Sequence, residues 1–399
     1  MTVLLLTDSK LFAGTERHMH ELGLGLRAAG VEVTFGCPSP SPLSALVSKD
    51  GFEVLGIPKE GLIDQGGIKK LAGYLAKGRA DVVHAHNGRS ALSATLANSR
   101  AGHGACVATQ HFIHPTRTTR RGPRALLSRI AHHWVSRRID HFIAISEAVC
   151  REMLVRGDAP FTKITVVPNG ISPPDRSAFV PRDAILNSLG VSLHVPLVVC
   201  VARLEAEKGI ETLIDAMREV VASVPDAHCL IAGSGSCEAV LHARIDALNL
   251  GEKIRLLGFR RDAMSLIHAA DLFVLPSPAE PFGLVILEGM ALSKCVVAAR
   301  GGGPVEIIVD RQSGILFEPS NPTSLANAIT ALLQDGPQRE KMGTAGLARY
   351  QERYTCDRMA ESTLRVYERA LASCSLNPLD SKTSIAHSDK PYLDRKQVN

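Results

Sequence analysis

The chain has 399 residues, of which 45% are hydrophobic and 21% are charged, with 45 Lys and Arg against 40 Asp and Glu. This composition excludes a disordered chain and predicts two domains of ordinary size. Because no stretch of 18 uninterrupted apolar residues and no basic start with a long apolar run occur, we expect neither a membrane-spanning helix nor a secretory signal.

The cysteines indicate a cellular compartment, and the distribution of charge indicates a class of partner. The nine cysteines form no CxxC pair and mostly lie in apolar stretches, which is typical of reduced core residues in a cytosolic protein. The first 180 residues hold 22 Lys and Arg against 14 Asp and Glu, while the rest is slightly acidic. This asymmetry indicates an anionic partner for the first half, or an unevenly charged solvated surface.

Apolar segments of strand length alternate with helical patterns from the start of the chain. Strands are predicted at 3–7, 31–36, 81–84, 106–110 and 141–145, and helices at 15–29, 90–100, 124–135 and 147–155. Such alternation predicts a parallel sheet with helices on both faces.

A stretch rich in Pro and Gly at 168–182 shows no periodicity and predicts a domain junction. A second alternating series follows, with strands at 197–201, 228–232, 254–257, 272–275 and 295–298 and helices at 210–221, 238–248, 261–268 and 283–292. Amphipathic helices are predicted at 324–333 and 338–371, and a disordered tail is predicted at residues 375–399. We therefore predict an α/β protein in which two doubly wound domains face each other across a ligand-binding cleft.

A loop between a predicted strand and helix carries Glu280, and Glu288 follows eight positions later. The free N–H groups of Phe282, Gly283 and Leu284 suit an anion, while both carboxylates can accept hydrogen bonds from hydroxyl groups. A diphosphate flanked by two sugars would satisfy all of them. The alternative is that Glu280 only favours the helix dipole and that Glu288 is a solvated helix residue.

Arg203 and Lys208 leave the first strand of the second domain where the cleft should open. A guanidinium binds phosphate oxygens with two parallel hydrogen bonds, whereas an ammonium is a mobile point charge, so together they could neutralise a leaving diphosphate. The alternative is a surface ion pair with Glu205 or Glu207.

The first domain offers a glycine and three histidines. Gly14, at the start of a helix, would let a phosphate or sugar approach the main chain, unless it only forms a tight turn. His84, His86 and His111 follow two strands and should lie near the carboxyl edge of the sheet. Because the chain has no Asp-x-Asp pair and no HExxH motif, we predict no metal site; a role in hydrogen bonding to sugar or acceptor hydroxyls, or a structural role, is expected.

Residues 115–138 hold seven arginines and no acidic residue, with apolar residues at helical spacing. This pattern predicts a basic amphipathic helix that contacts an anionic membrane surface or a lipid diphosphate. The candidate acceptor or membrane residues are Arg117, Arg120, Arg121 and Arg124. RNA binding is disfavoured because few aromatic residues lie nearby, and a core-packed helix with a solvated face is the alternative.

Together these motifs resemble the retaining GT-B glycosyltransferases of family 4, also called glycosyltransferase group 1, over roughly residues 1–372. The resemblance rests on the following segments, in this order: Gly14-Thr-Glu-Arg17, Asp81-Val-Val-His84-Ala-His86, Ala144-Ile-Ser146-Glu147, Val166-Val-Pro-Asn169-Gly170-Ile171, Ala202-Arg203 with Lys208-Gly209, Leu257-Gly258-Phe259, Glu280-Pro-Phe282-Gly283 with Glu288, and Gly301-Gly-Gly303-Pro-Val-Glu306.

The resemblance implies a role for each matching residue. Arg203 and Lys208 would hold the donor diphosphate, Glu288 the nucleotide ribose, and Glu280 the transferred sugar, with His111 beside the reacting sugar. The implied catalytic residues are thus His111, Glu280, Arg203 and Lys208. The implied donor-binding residues are Gly14, Arg203, Lys208, Gly258, Phe259, Glu280, Phe282, Gly283, Leu284 and Glu288.

The resemblance also implies the architecture and the activity. It implies an acceptor-side Rossmann-like domain at 1–175, a linker at 176–195, a nucleotide-sugar-binding Rossmann-like domain at 196–350, a helix at 351–374 that crosses back, and a tail at 375–399. The implied reaction is retaining, metal-independent hexosyl transfer from a nucleotide diphosphate sugar to a glycan or lipid-linked acceptor.

The expected setting is bacterial envelope biosynthesis, including lipopolysaccharide and exopolysaccharide. We expect a cytoplasmic protein, peripheral on the inner face of the plasma membrane, with no cofactor, metal or nucleic-acid partner. A nucleotide-sugar epimerase and a non-catalytic nucleotide-sugar sensor with the same fold are the alternatives.

Overall fold

The structure is a computed structural model that describes residues 1–58, 64–102, 104–113 and 133–375. Its first domain is built on a parallel sheet of seven strands in the order β3-β2-β1-β4-β5-β6-β7. These strands are β1 (Thr2–Leu6), β2 (Glu32–Cys37), β3 (Glu53–Gly56), β4 (Val82–Ala85), β5 (Ala105–Gln110), β6 (His141–Ala144) and β7 (Ile164–Val166). The central strands are almost continuously apolar because helices cover both faces of the sheet.

The helices of the first domain are α1 (Gly14–Ala28), α2 (Pro42–Lys49), α3 (Gln65–Leu75), α4 (Gly88–Ala101), α5 (133–138) and α6 (Glu147–Arg156). Side chains of Ser41, Asp64, Asn87 and Ser146 accept hydrogen bonds from the first-turn N–H groups of α2, α3, α4 and α6. Such caps satisfy backbone donors that have no partner inside the helix. The segments α2, β3 and α3 were not predicted, although Ser41 followed by Pro42 is a recognisable helix start.

The second domain contains a parallel sheet of six strands in the order β10-β9-β8-β11-β12-β13. They are β8 (Leu197–Val201), β9 (His228–Ala232), β10 (Ile254–Leu256), β11 (Leu272–Leu275), β12 (Cys295–Ala299) and β13 (Ile315–Phe317). The direction of winding reverses between β8 and β11, as it does between β1 and β4 in the first domain. Ligands of doubly wound sheets bind at such reversals, beyond the carboxyl ends of the strands.

The remaining helices are α7 (Arg182–Ser188), α8 (Ile210–Ser223), α9 (Glu238–Ala247), α10 (Ala263–Ala269), α11 (Leu284–Ala291), α12 (Pro304–Ile307), α13 (Pro322–Gln334), α14 (Gly336–Arg353) and α15 (Cys356–Ser375). Short 3-10 turns occur at Phe161–Lys163, Arg176–Ala178 and Ala206–Lys208. Helix α7 lies within the predicted linker at 176–195 and packs against α10 of the second domain.

The single helix predicted at 338–371 is wrong, because the chain breaks between α14 and α15. At the break, Ile171 N–H donates to the carbonyl of Tyr354, and Cys356 N–H donates to the carbonyl of Ile171. These two bonds replace helical hydrogen bonds, and amphipathic periodicity on both sides conceals the break. After it, α15 packs against α1 and β5 of the first domain.

Gly25 of α1 explains how closely these two helices approach. A Cβ atom at this position would lie 2.7 Å from the carbonyl oxygen of Cys356 and 2.8 Å from the Cβ of Ala360. A larger residue would force α15 away from the first domain.

No helix within the described ranges combines the length and the apolarity that crossing a membrane requires. The arginines predicted to contact an acceptor or membrane (Arg117, Arg120, Arg121 and Arg124), most of the predicted helix at 124–135 and the predicted tail beyond residue 375 lie outside the described residues.

Candidate functional site

The cleft between the domains contains an ion pair that joins them. The Nη1 atom of Arg17, in the first turn of α1, lies 2.5 Å from Oε1 of Glu288 in α11. The Glu288 side chain is only 4% exposed, so it is not the solvated helix residue that the sequence left open. Burial raises the pKa of Glu288, and the charge of Arg17 opposes this effect. Glu288 is therefore a hydrogen-bond acceptor held in the cleft by the opposite domain.

A second, partly buried ion pair lies within the second domain, at the predicted donor site. Lys208 Nζ donates to Glu280 Oε2 over 2.7 Å, and the two side chains are 17% and 14% exposed. The pair joins the loop after β8 to the loop after β11. Gly209 makes this possible: its φ is +63°, and a Cβ there would lie 2.6 Å from the carbonyl oxygen of Pro276.

The start of α11 is shaped for close approach to its backbone. Gly283 precedes the helix with a φ of +106°, and no side chain caps the first turn. The loop at 301–303 packs tightly behind it, since a Cβ on Gly303 would lie 2.3 Å from the Cα of Phe282. Phe282 is buried in the hydrophobic core. The role of the first-turn amides, up to that of Leu284, in binding an anion stays a prediction.

Arg203 does not take part in the ion pair between Lys208 and Glu280. Its guanidinium donates to Glu207 over 2.7 Å, and both side chains are 60% exposed. This is the surface ion pair that the sequence allowed as an alternative. Exposed pairs of this kind contribute about 0–1 kcal/mol, so redirecting the Arg203 side chain into the cleft would cost little.

The loops after β8, β9 and β10 stack on one another at the same edge of the sheet. A Cβ on Gly233 would lie 1.8 Å from the carbonyl oxygen of Ala202, and Gly233 N–H donates to the carbonyl of Gly258. Gly258 itself has a φ of +64°. The next side chain, Phe259, is 74% exposed, which leaves an aromatic ring open to solvent beside the glycine loop.

Gly14 lies at the start of α1, as predicted from the sequence, with open space where a side chain would be. Ala13 precedes it, and its N–H donates to Glu16 Oε2 over 2.9 Å, which fixes the first turn. A ligand can therefore approach the backbone of Gly14, three residues before Arg17.

Beneath Arg17, four buried histidines form a cluster: His18, His84, His86 and His111. Neighbouring ring centroids are 4.2 to 5.5 Å apart. The Nδ1 atom of His84 lies 2.6 Å from the Tyr367 hydroxyl of α15, and Nδ1 of His86 lies 3.2 Å from Nε2 of His111.

Burial sets the charge of this cluster. It lowers the pKa of His18 to about 4, and it lowers the pKa values of His84, His86 and His111 well below 6.5. The side chain of Asn169 opposes the effect at His18 in part. All four rings are therefore neutral near pH 7, and each can both donate and accept a hydrogen bond.

The sequence did not identify His18 as part of this cluster. Both of its ring nitrogens, and Nε2 of His86, are buried without a hydrogen-bond partner among the described residues. Nitrogen atoms of His18, His86 and His111 lie within 4.8 Å of one another, a spacing that could hold a metal ion. Neutral imidazoles suit zinc and other transition metals, but they also suit sugar hydroxyls.

Two further residues of the quoted motifs connect the domains, although the sequence assigned them no role. The carboxylate of Glu306 accepts hydrogen bonds from the N–H groups of Glu147 and Ala148, at 2.9 and 3.0 Å. Ser146 donates to the carbonyl oxygen of Pro281 over 2.8 Å. The loop that ends at Pro281 and the short helix α12, which carries Glu306, are thus docked onto the start of α6.

Comparisons with known proteins match both domains of the chain. Residues 12–174 match the family model for Glycosyltransferase Family 4, and residues 181–349 match that for Glycosyl transferases group 1. The glycogen synthase of Mycobacterium tuberculosis H37Rv is 29% identical, over 90% of this chain and 91% of that protein. An uncharacterized glycosyltransferase of Methanocaldococcus jannaschii is 33% identical, over 57% of this chain and 60% of that protein.

Among solved structures, Anabaena HepE in complex with UDP-glucose superimposes with a TM-score of 0.79 at 23% identity, covering 94% of this chain and 100% of that one. The two family models together span both domains, and the fold is that of the solved glycosyltransferase. The chain belongs to the group 1 glycosyltransferases, enzymes of the GT-B fold.

Proposed function

We propose that the protein transfers a hexosyl group from a nucleotide diphosphate sugar to a glycan or lipid-linked acceptor, with retention of configuration and without a metal ion. One observation carries this proposal: the partly buried carboxylate of Glu280 and the buried carboxylate of Glu288 lie in the cleft, held by Lys208 at 2.7 Å and by Arg17 at 2.5 Å. The similarity to a glycogen synthase and to a fold seen with UDP-glucose supports the donor class.

In this proposal each group meets one part of the donor. Glu288 accepts hydrogen bonds from the ribose hydroxyls, and the amides at the start of α11 together with Glu280 hold the transferred sugar. Lys208 and Arg203 bind the diphosphate, Arg203 after leaving its exposed pair with Glu207. The glycine loop at Gly258 and the exposed ring of Phe259 border the donor.

The reaction breaks the bond between the anomeric carbon and the diphosphate oxygen, and the electron pair stays on the diphosphate. Lys208, Arg203 and the start of α11 stabilise the negative charge that develops there. The acceptor oxygen attacks from the same face, and its proton passes to the leaving phosphate oxygen. Neutral His111 holds a hydroxyl of the reacting sugar, while Gly14 gives the donor room. Trapping of a glycosyl-enzyme adduct would contradict same-face attack.

The acceptor side is proposed from charge alone. Arg117, Arg120, Arg121 and Arg124 suit a lipid diphosphate or an anionic membrane surface, which points to assembly of a bacterial envelope polysaccharide on the inner face of the plasma membrane. Sedimentation with vesicles containing phosphatidylglycerol tests this. Binding should fall in the double variant Arg120→Gln/Arg121→Gln, and unchanged binding would count against a membrane role.

The donor is tested first by thermal shift with a panel of UDP and GDP sugars, and then by turnover of the sugar that stabilises the protein.

Lys208→Met should lower the turnover rate by a factor on the order of 10² to 10³, because one cation facing the leaving group is lost. Glu288→Gln should weaken binding of the free nucleotide by a factor of about 10 to 100, since a charged acceptor is lost. Exposed Lys49→Met is the control and should match the wild type.

The other outcomes separate the alternatives. Binding without hydrolysis or transfer would indicate a sensor, and interconversion of free nucleotide sugars would indicate an epimerase. We expect activity to persist in excess EDTA. Loss of activity that zinc restores would contradict the metal-free proposal and would direct attention to His18, His86 and His111.

A further inference from the structure

A second cavity, of about 870 Å³, lies at the opposite edge of the second sheet from the proposed donor site. Its walls include the residues just before β8, β11 and β12, the segment at 176–182 that follows the first domain, and the start of α14. We call it the linker pocket. Its volume is within the range of small-molecule sites, roughly 300 to 1,000 Å³.

The linker pocket is strongly basic. Four cations line the pocket: Arg176, Arg182, Lys294 and Arg339. Among the described residues that line it, Asp271 is the one carboxylate. Asp271 is already engaged, because it accepts hydrogen bonds from Arg182 at 3.1 Å and from Leu197 N–H at 2.8 Å. With the histidines neutral, the lining carries a net charge of +3.

Two of these cations are not neutralised by protein groups. The side-chain amine of Lys294 makes no ion pair or hydrogen bond with any described residue, and the guanidinium of Arg176 makes only a 3.4 Å contact with the carbonyl oxygen of Ala291. Arg182 and Arg339, by contrast, are held by backbone carbonyls. Partial burial lowers the pKa of Lys294; Asp271 opposes this shift, whereas Arg182, Arg176 and Arg339 add to it. An anion in the pocket would relieve the repulsion among these charges.

Apart from two histidines, the rest of the wall is apolar. Phe179, Val195 and Leu333 line the cavity beside the cations, and the Phe179 ring lies 5.3 Å from the ring of His268. A ligand for this pocket therefore combines a phosphoryl group with a compact body such as a sugar ring, since guanidinium and ammonium groups bind phosphate oxygens and apolar walls cover a ring.

We propose that the linker pocket binds a phosphorylated small molecule, at a site separate from the donor cleft. Arg176 and Lys294 bind its phosphoryl group, and Phe179 and Leu333 cover its body. Because Arg176 and Phe179 precede α7 whereas Lys294 and Leu333 belong to the body of the second domain, the occupant fastens the linker to that domain.

The test is calorimetric titration of the full chain with inorganic pyrophosphate and with glucose 6-phosphate, at constant ionic strength. We expect 1:1 binding of at least one probe, weakened about tenfold or more by Lys294→Met and by Arg176→Gln, because each removes a charged donor. Lys341→Met, an exposed lysine on α14 close to Arg339 in sequence, should bind as the wild type does. Lys208→Met, in the donor cleft, should also leave this binding unchanged.

Three results would overturn the proposal: neither probe binds, both pocket variants bind as the wild type does, or binding is lost in Lys208→Met and kept in Lys294→Met. Donor binding and turnover in the pocket variants should equal the wild type, which separates this test from that of the proposed function. Removing an unpaired, partly buried ammonium should not lower the thermal midpoint. If Lys294→Met nevertheless unfolds, Arg176→Gln decides, because Arg176 supports the fold through one weak contact.

Discussion

Burial decides what the site residues of this enzyme can do. Glu288 would resist ionisation in its buried position, and Arg17 from the other domain opposes that effect at 2.5 Å. The four clustered histidines make no hydrogen bond to a carboxylate of the described residues, and burial keeps them neutral. A charged acceptor and a group of neutral hydrogen-bonding rings therefore lie on the two sides of Arg17.

The histidine cluster predicts loss of stability in mild acid. The pKa of His18 is about 4 in the folded protein and near 6.5 when unfolded, so the unfolded chain binds more protons between these values. Stability is therefore lost as the pH falls through 6.5, by about 1.4 kcal/mol at pH 5.5 for His18 alone. In His18→Gln, the fall of the urea midpoint between pH 7.5 and 5.5 should be smaller than in the wild type.

Exposed His242→Gln provides the comparison for this measurement. It should lose as much stability as the wild type over the same pH range. Equal losses in His18→Gln and His242→Gln would show that His18 is not held neutral by burial.

At the scale of elements, helix ends and glycine loops bring the two domains together. The start of α6 belongs to the first domain, yet Glu306 of the second domain accepts hydrogen bonds from two of its N–H groups. A carboxylate at a helix N-terminus also interacts favourably with the helix dipole. The loop at 301–303 can lie behind Glu280 because its residues are glycines, one of which approaches the Cα of Phe282.

Replacing Glu306 with Gln should loosen this contact. The amide has one acceptor oxygen, so one of the N–H groups of Glu147 and Ala148 would face an NH₂ group and lose its partner. If losing this hydrogen bond costs about 1.4 kcal/mol, the population of molecules in which the start of α6 is open rises about tenfold. Hydrogen exchange in a peptide covering 146–150 should accelerate by about that factor. Exposed Glu340→Gln should leave it unchanged, and unchanged exchange in Glu306→Gln would rule out the cap.

At the scale of the whole molecule, α15 returns the chain to the first domain. Its residue Tyr367 is fully buried, and its hydroxyl lies 2.6 Å from Nδ1 of His84. Helix α15 thus contacts the histidine cluster, although Tyr367 lies 283 residues after His84 in the chain. The stability of the first domain therefore depends on residues that follow the second domain.

Tyr367→Phe tests this dependence. It removes the hydroxyl and leaves a buried His84 nitrogen without a partner, which costs about 1–3 kcal/mol. The urea midpoint should fall, and hydrogen exchange in β4 and β5 should increase. Arg365→Gln, exposed on the same helix, should change the midpoint little. A midpoint in Tyr367→Phe equal to that of Arg365→Gln would contradict a structural role for this contact.

Much of the architecture could be predicted from local patterns. The alternation of apolar strands with amphipathic helices indicated two doubly wound domains, and Gly14 and Gly283 were expected at the starts of helices, where the structure places them. These features can be recognised in the sequence because strand and helix periodicity and turn chemistry depend on neighbouring residues. The family resemblance has the same origin, since its motifs occupy the ends of strands.

Only the tertiary structure decided which groups meet. It paired Glu288 with Arg17, placed Arg203 in an exposed pair with Glu207, added His18 to the other histidines and divided the helical pattern between α14 and α15. The Glu288 pairing, the histidine cluster and the break before α15 depend on which elements pack against one another, whereas the Arg203–Glu207 pair is local and was one of the alternatives that the sequence left open. Local periodicity carries no information about such long-range contacts, because their partners are separated by up to hundreds of residues of folded chain.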